Sequence, residues 1–479
     1  MTRRGGFRKR VLEGTAIASL LFVGCAHVGL SPSPPPASQE KDALPPVGAV
    51  ARPLSPGTPP PAAPRVPLPR VLARLNLAAV GDVLPHSPVL HSARAADRRD
   101  ANGVSQNNDG FDDLLLGVRP ALDGVHLAMA NLETPVAPKT GKESRPFQFN
   151  APEVLLAGLK ATGFSMVSVA NNHMYDQGVK GLRETLEVLT RSGLAFAGIA
   201  ATCEEAYRPL IIEREGVRVA FLAAAQMFNV EPKNPAPCAA KLDEKKLIQS
   251  AKEAKAAGAD AVVLSVHWGN EYQTAPRKEE IDTAHRLLDG GFDAIIGHHP
   301  HVLQPLEIYP AADGRLTFVA YSLGNFLSNQ ARFYAFGIEP TKNGNPRDGA
   351  ILRFSVVKKD YGDGQTTCEL ADLSVQPTWT ENNARERLRD KKLSPNIRVV
   401  VNDERIDAAR AELERLDPAA EPKRALELKK AIEFYAARKA AAAAILGEDY
   451  LFVPLPPPPL PPEPAPEVSS PTASESPAR

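Results

Sequence analysis

Mostly apolar runs recur through the middle of the chain, and each ends in a short polar cluster. Residues 75–80 close on Gly81-Asp82, 125–130 on Asn131-Leu132-Glu133, and 164–169 on Ala170-Asn171-Asn172-His173-Met174-Tyr175-Asp176. Farther along, 261–266 lead into His267-Trp268-Gly269-Asn270-Glu271-Tyr272 and 292–296 into Gly297-His298-His299-Pro300-His301-Val302-Leu303-Gln304. Residues 318–321 lead into Ser322-Leu323-Gly324-Asn325-Phe326. Runs of this length predict buried strands. Helical periodicity over 152–160, 179–192, 243–257 and 279–288 predicts helices between them. The alternation predicts an α/β fold in which sheets are flanked by helices. Ligands in open α/β sheets gather beyond the carboxyl ends of the strands, which is where every polar cluster falls.

Past residue 376 the pattern changes. Strong helix formers fill 404–416 and 423–446, separated by Asp417-Pro418 and Pro422, and predict a helical hairpin over an appendage spanning 376–450. The core domain is then 71–375. Proline marks what lies outside: of 46 in the chain, more than half sit in 31–70 and 451–479. Neither segment has a period that would bury a core, so 25–70 reads as an extended tether and 451–479 as a disordered tail.

Residues 1–24 read as a targeting segment. Arg3, Arg4, Arg8, Lys9 and Arg10 precede a short apolar stretch that ends in Leu21-Phe22-Val23-Gly24-Cys25. That ending resembles a bacterial lipobox, which makes Cys25 the acylated first residue of an exported, membrane-anchored lipoprotein; an ordinary secretory signal has the same basic and apolar parts. Ala26 after the cysteine favours an outer-membrane, periplasmic or cell-surface address. The 56 basic and 56 acidic side chains balance, so global charge gives no argument for nucleic acid. In an oxidising compartment Cys203 and Cys238 are candidates to pair, leaving Cys368.

The candidate chemistry begins at the bend after residue 296. Imidazole is the commonest protein metal ligand. Pro300 stiffens its own position and biases His299 toward extended backbone, and an extended pair spaced by two projects both rings from one face. A solvated His-rich turn has the same local composition, so partners elsewhere decide. Asp82, Glu133, Asn172, His267, His299 and His301 together are a ligand set suited to hydrolytic divalent metals. Beside them, His173 is placed to act as a general acid with Asp176 orienting its ring. Lys142 and Arg145 follow the Glu133 motif and are candidates to meet an anionic substrate. His298 is read as a neighbour pointing away, and Glu271 and Tyr272 as residues that shape the pocket.

In order, the six polar clusters resemble the capsule-synthesis CapA family, associated with poly-γ-glutamate and a branch of the calcineurin-like metallophosphoesterases. The resemblance covers about 75–357. It implies a layered metallophosphoesterase-like sandwich, with Asp82 as the first metal-binding aspartate and Glu133 as the bridging carboxylate. Asn172 would be the metal-binding amide, His173 the catalytic histidine, and His267, His299 and His301 the remaining ligands. Two positions depart from the superfamily pattern: Leu84 stands where a histidine is usual, with His86 the nearest, and Glu133 stands where Asp is usual. One or two divalent ions, of Mn, Fe or Zn, are therefore expected. The implied function is metal-dependent phosphoester-type hydrolysis in capsule or exopolymer production. The alternative is a non-catalytic assembly or transport lipoprotein holding a polyanionic polymer or a capsule synthase in the membrane.

Overall fold

The computed structural model describes residues 69–362 and 365–452. The targeting segment with Cys25, the tether up to residue 68 and the tail from residue 453 lie outside the described residues.

The strand Arg70–Val83 organises the rest. Its side chains alternate between two cores, as a period of two requires. Leu75, Leu77 and Ala79 meet Phe221, Val263, Ile296 and Phe318 of a second sheet, while Ala78, Val80 and Val83 pack under helices with Val89, Phe111, Leu155 and Leu182. The strand lies inside an eight-stranded sheet. On one side it pairs in parallel with Leu127–Leu132, followed by Met166–Ser168 and Ala195–Ala197. On the other side the sheet continues antiparallel through Asp348–Asp360, Thr366–Asn382 and Ile397–Val401.

The second sheet has six strands. Its parallel centre comprises Val217–Ala225, Ala261–His267, Ala294–His298 and Leu316–Ala320, with antiparallel Leu210–Arg214 and Leu306–Pro310 at the edges. Its outer face is covered by helices Glu244–Ala256 and Lys278–Asp289, through Leu247, Ala251, Ala284 and Leu287. Two sheets packed face to face and flanked by helices are the layered α/β architecture expected. The four helices anticipated in the core domain occur at Val154–Thr162, Gly178–Ser192, Glu244–Ala256 and Lys278–Asp289, each within about two residues of its expected limits.

The C-terminal division differs from expectation. Residues 376–401 do not belong to a helical appendage: the strand Thr366–Asn382 crosses residue 376, and Ile397–Val401 forms the edge of the first sheet. Only Asn402–Arg415 and Pro422–Leu446 form the helix pair. The pair is fastened to the domain. Ala442 and Leu446 enter the core between the sheets, and Arg438, wholly buried, donates to Asp348, to Thr341 O at 2.8 Å and to Asn345 Oδ1 at 3.2 Å. Trp379 lies under two guanidinium groups, Arg347 at 4.3 Å and Arg438 at 5.0 Å from its ring centre. Cys203 and Cys238, the candidate pair whose bonding the sequence left open, form a disulfide, and Cys368 is free.

Register brings the polar strand ends together. Asp82 lies opposite Asn131 on one neighbour and Asn325 on the other, and His267 lies opposite His298. The crossing is tight at Gly81, where a Cβ would fall 1.9 Å from Gly324 O. The obstruction is backbone, Leu323 O and the Gly324 carbonyl, and cannot turn aside as a flexible side chain would. Gly81→Ala is expected to cost more than ~2 kcal/mol, read as a lowered urea midpoint; an unchanged midpoint would show that this crossing relaxes freely.

Candidate metal centre

Asp82, Glu133, Asn172, His267, His299 and His301 are all buried and meet at one edge of the paired sheets. Asp82 Oδ1 accepts from Asn131 Nδ2 at 2.8 Å and lies 3.5 Å from His298 Nδ1; Oδ2 lies 3.1 Å from His301 Nδ1 and accepts from the His299 N–H at 3.4 Å. Burial opposes its charge, but the neighbouring imidazoles of His298 and His301 more than offset this and hold the carboxyl well below the usual range.

Glu133 is the opposite case. Neither carboxylate oxygen has a hydrogen-bond partner, and the nearest imidazole nitrogens are His267 Nε2 at 3.4 Å and His301 Nδ1 at 3.8 Å. Burial, and then the charge of Asp82, push its pKa well above the ordinary glutamate value. A buried, unsatisfied carboxylate is costly unless something positive answers it. Donor atoms of Glu133, His299 and His301 lie within 4.8 Å of one another. His267 Nε2 is 3.0 Å from Asn172 Oδ1, which brings the amide into the same group. Carboxylate, imidazole and amide oxygen are donors for divalent ions of borderline character. The residues present fit such an ion.

The bend holding His299 and His301 is built differently from the extended pair expected. Both residues have left-handed backbone, with φ of 97° and 58°. Non-glycine residues adopt this region only where their surroundings impose it, commonly at functional sites. The rings nonetheless converge, with centres 6.0 Å apart, and His299 packs 4.8 Å from His267. His298 also departs from expectation: it does not point away. The strand continues to residue 298, so His298 shares the inward face with Ala294 and Ile296 and is fully buried beside Asp82. Burial pushes His267 well below the ordinary histidine range, and burial followed by the charge of His301 takes His299 down to about 4. Neutral imidazoles are the form that ligates metals.

His173 and Asp176 sit on the turn before helix Gly178–Ser192. His173 Nδ1 is 2.8 Å from Asp176 Oδ2, which also accepts the Phe149 N–H at 2.7 Å. The Phe149 ring meets His173 edge-on at 4.4 Å and His86 at 5.1 Å. His86, the substitute considered for the residue at Leu84, has Nδ1 3.0 Å from Leu84 O and 3.3 Å from the Asn329 N–H, and burial lowers its pKa to about 4. It borders the centre through Phe149.

Lys142 and Arg145 stay outside the buried group. Both are exposed on the loop that carries Phe149, and Arg145 Nε donates to Gln148 at 2.8 Å. Tyr272 is half-exposed, with its ring 6.2 Å from His301; burial, and then Glu271, push its hydroxyl up to about 12.

Three amides had no role in the sequence reading. Asn131 bridges Asp82 and His267, the latter at 3.4 Å. Asn325 places Oδ1 3.1 Å from His301 Nδ1 and donates to His301 O at 3.2 Å and Pro346 O at 2.8 Å. Asn229 gives its N–H to Asn172 O at 2.8 Å and holds Nδ2 3.3 Å from His173 Nδ1. Asn131 and Asn325 lie inside recognised clusters, which was the available signal; Asn229 has none.

A family model described as bacterial capsule synthesis protein PGA_cap matches residues 76–330, more than half of the chain. The chain is 31% identical over 233 residues to the capsule biosynthesis protein CapA of Bacillus anthracis, covering 47% of this chain and 56% of that one. It is 30% identical over 265 residues to the PGA biosynthesis protein CapA of Bacillus subtilis, covering 54% and 65% respectively. The chain thus spans less than two thirds of the length of either relative. Among solved structures, the calcineurin-like phosphoesterase YfkN of Bacillus subtilis overlaps 63% of this chain and 90% of its own, at 16% identity and a TM-score of 0.35. The matched span contains every residue of the buried donor group, and the chain belongs to the PGA_cap family of bacterial capsule synthesis proteins.

Proposed function

We propose that this chain is an exported, metal-dependent hydrolase of phosphoester-type bonds that serves production of a polyanionic exopolymer of the poly-γ-glutamate kind. The observation that carries the chemistry is the orphaned Glu133 carboxylate, facing imidazoles, beside an oriented His173–Asp176 pair. Asp82, Glu133, Asn172, His267, His299 and His301 would hold one or two divalent ions. A bound ion supplies Lewis acidity toward phosphoryl oxygens and makes water more acidic.

The chain's own residues supply the rest. Asp176 accepts the Nδ1–H of His173, and the doubly protonated ring would then pass its Nε2 proton to a departing oxygen and be left as the neutral Nδ1–H imidazole. Asn325 and Asp82 fix the ring of His301 from its Nδ1 side, and such outer partners keep a ligating histidine in one tautomer and orientation. Phe149 closes the site beside His173. Lys142 and Arg145, exposed on the same loop, would meet an anionic substrate in this reading. Family membership and the names of the two CapA relatives support the pathway. In this reading acylation at Cys25 anchors the protein, the tether holds the domain off the membrane, and the polymer or its membrane synthase is the partner.

The test combines elemental analysis with hydrolysis of phosphodiester and phosphomonoester probes after loading with manganese, iron or zinc. His173→Gln is expected to keep its metal and lose on the order of 10²–10⁴ in kcat. A chain that retains no metal overturns the reading. Metal retained with turnover equal in the wild type and in His173→Gln removes the assigned acid and favours a binding or assembly role.

A further inference from the structure

Two segments outside the metal centre form one surface. The loop 330–340 exposes Phe333, Phe336 and Ile338, the last to 71%. The short helix Ala384–Arg389 and the return after it expose Leu388, to 57%, and Leu393. Arg385 ties the two together, donating to Phe333 O at 3.1 Å and pairing with Glu339 at 3.6 Å. The return is clamped by Asn383, which donates to Ser394 O and accepts from the Asn396 N–H, both at 2.8 Å. The apolar tips therefore stand on a fastened frame.

Cations surround them. Arg332, Arg387, Arg389, Lys391 and Lys392 belong to these segments, and none forms an ion pair among the described residues. Arg387 is half-buried, with Nε on Leu393 O at 3.0 Å. Glu386 and Asp390 are the neighbouring acids, and Glu339 is already engaged by Arg385. Clefts of about 230 and 480 Å³ run between the tips.

We propose that this face docks the domain peripherally on the anionic surface of a lipid bilayer. Scattered large apolar tips with unpaired, long basic side chains between them are the chemistry of an interfacial surface: the tips enter the acyl boundary and the cations meet headgroup phosphates. Lysine is depleted at the cores of protein interfaces, and a soluble polyanion would not require the exposed Ile338 and Leu388. No helix of the described residues is long and apolar enough to cross a membrane. The face also borders the metal centre, since the Asn329 N–H, just before the loop, lies 3.3 Å from His86 Nδ1.

The test uses the chain from residue 26 onward. This keeps every described residue and removes the basic, apolar leader and the acylation candidate, both of which bind vesicles by themselves. Flotation with phosphatidylcholine vesicles is expected to leave the protein unbound, and addition of phosphatidylglycerol to capture it in a salt-sensitive manner. Arg387→Gln, Arg389→Gln and Lys391→Gln each lower partitioning about fivefold. Ile338→Asp and Leu388→Asp abolish capture, while Leu316→Asp, an exposed apolar position on the second sheet, leaves it unchanged. Failure of the unsubstituted chain to bind the anionic vesicles overturns the proposal, as does capture unaltered by the patch variants. Tighter binding to poly-L-glutamate than to vesicles, indifferent to Ile338→Asp, replaces the lipid surface with a soluble polymer. Circular dichroism of each variant separates loss of docking from loss of fold.

Discussion

Glu133→Gln is expected to strip the protein of its metal while stabilising the metal-free chain. The two effects oppose each other because the carboxylate sits where only a cation answers it. Both oxygens are buried and unpartnered, so in the metal-free protein the charge is close to pure cost. Glutamine has nearly the same shape without the charge, and relief of about 1–3 kcal/mol is expected in chelator. With metal present, the variant loses more than the roughly 10–100-fold in affinity usual for an outer partner, because a direct donor has been replaced. It also forfeits the stabilisation that a ligand confers by binding only the folded state.

The pH dependence has a definite sign. Glu133 has a raised pKa in the folded chain, so the folded metal-free protein holds more protons than the unfolded one. Its contribution is full below the ordinary glutamate range and is lost as pH rises through the raised value. The gain from Gln should therefore grow toward high pH. Thermal melts with chelator and with metal, at several pH values, check both halves. A Gln variant less stable than wild type in chelator at every pH would refute the account of an unanswered charge.

Arg438→Met carries the other large expectation, a loss of about 3–5 kcal/mol in urea unfolding. Arg438 and Asp348 are both buried, and burial outweighs the guanidinium enough to raise Asp348 to about 6 even with its partner in place. Removing the arginine leaves a buried carboxyl with no hydrogen-bonded cation and only the charge of Arg347 nearby. The double change Arg438→Met with Asp348→Leu should recover most of the loss, since apolar replacement of a whole buried pair is often neutral. A second consequence reaches the metal centre. Arg438 holds Thr341, Asn345 and Asp348, and within that segment Pro346 O accepts from Asn325, whose other amide atom faces His301. The single variant should thus weaken metal binding about tenfold. Equal stability of the Met variant and the wild type would mean that the helix pair is held without this ion pair, by Ala442 and Leu446 in the core and by Ile406 and Tyr435 against Trp379 and Val400.

Most of the two-sheet core was readable because its central strands are apolar on both faces. The polar residues at their ends then fell on one edge by topology, which is why residues as distant as Asp82 and His301 were grouped correctly. Residues 376–401 were misread for the converse reason. Residues 373–380 do alternate apolar and polar, but Pro377 argues against an interior strand, and the polar positions Gln376, Thr378 and Thr380 are buried where the pattern would put a solvated face. The orientation of His298 depended on whether its strand stopped at 296 or 298, a two-residue difference that local pattern does not resolve. The left-handed bend at His299 and His301 runs against the local preference set by Pro300; contacts from Asp82, Asn325 and His267 across the sheets impose it. The amides of Asn131, Asn229 and Asn325 were unreadable because an amide's task is defined by what register puts opposite it.

The Cys203–Cys238 disulfide gives the centre a dependence on redox conditions. It closes the far end of the segment that leaves strand Val217–Ala225 and carries Asn229 across to Asn172 and His173. With the thiols reduced, that segment loses a covalent restraint, and the brace on His173 loosens while the buried residues on the strand ends stay in place. Oxidising compartments lie beyond the cytoplasm, so under the export proposed above the donor group would assemble with the fold, and the His173 side would become fully braced only after the cysteines pair.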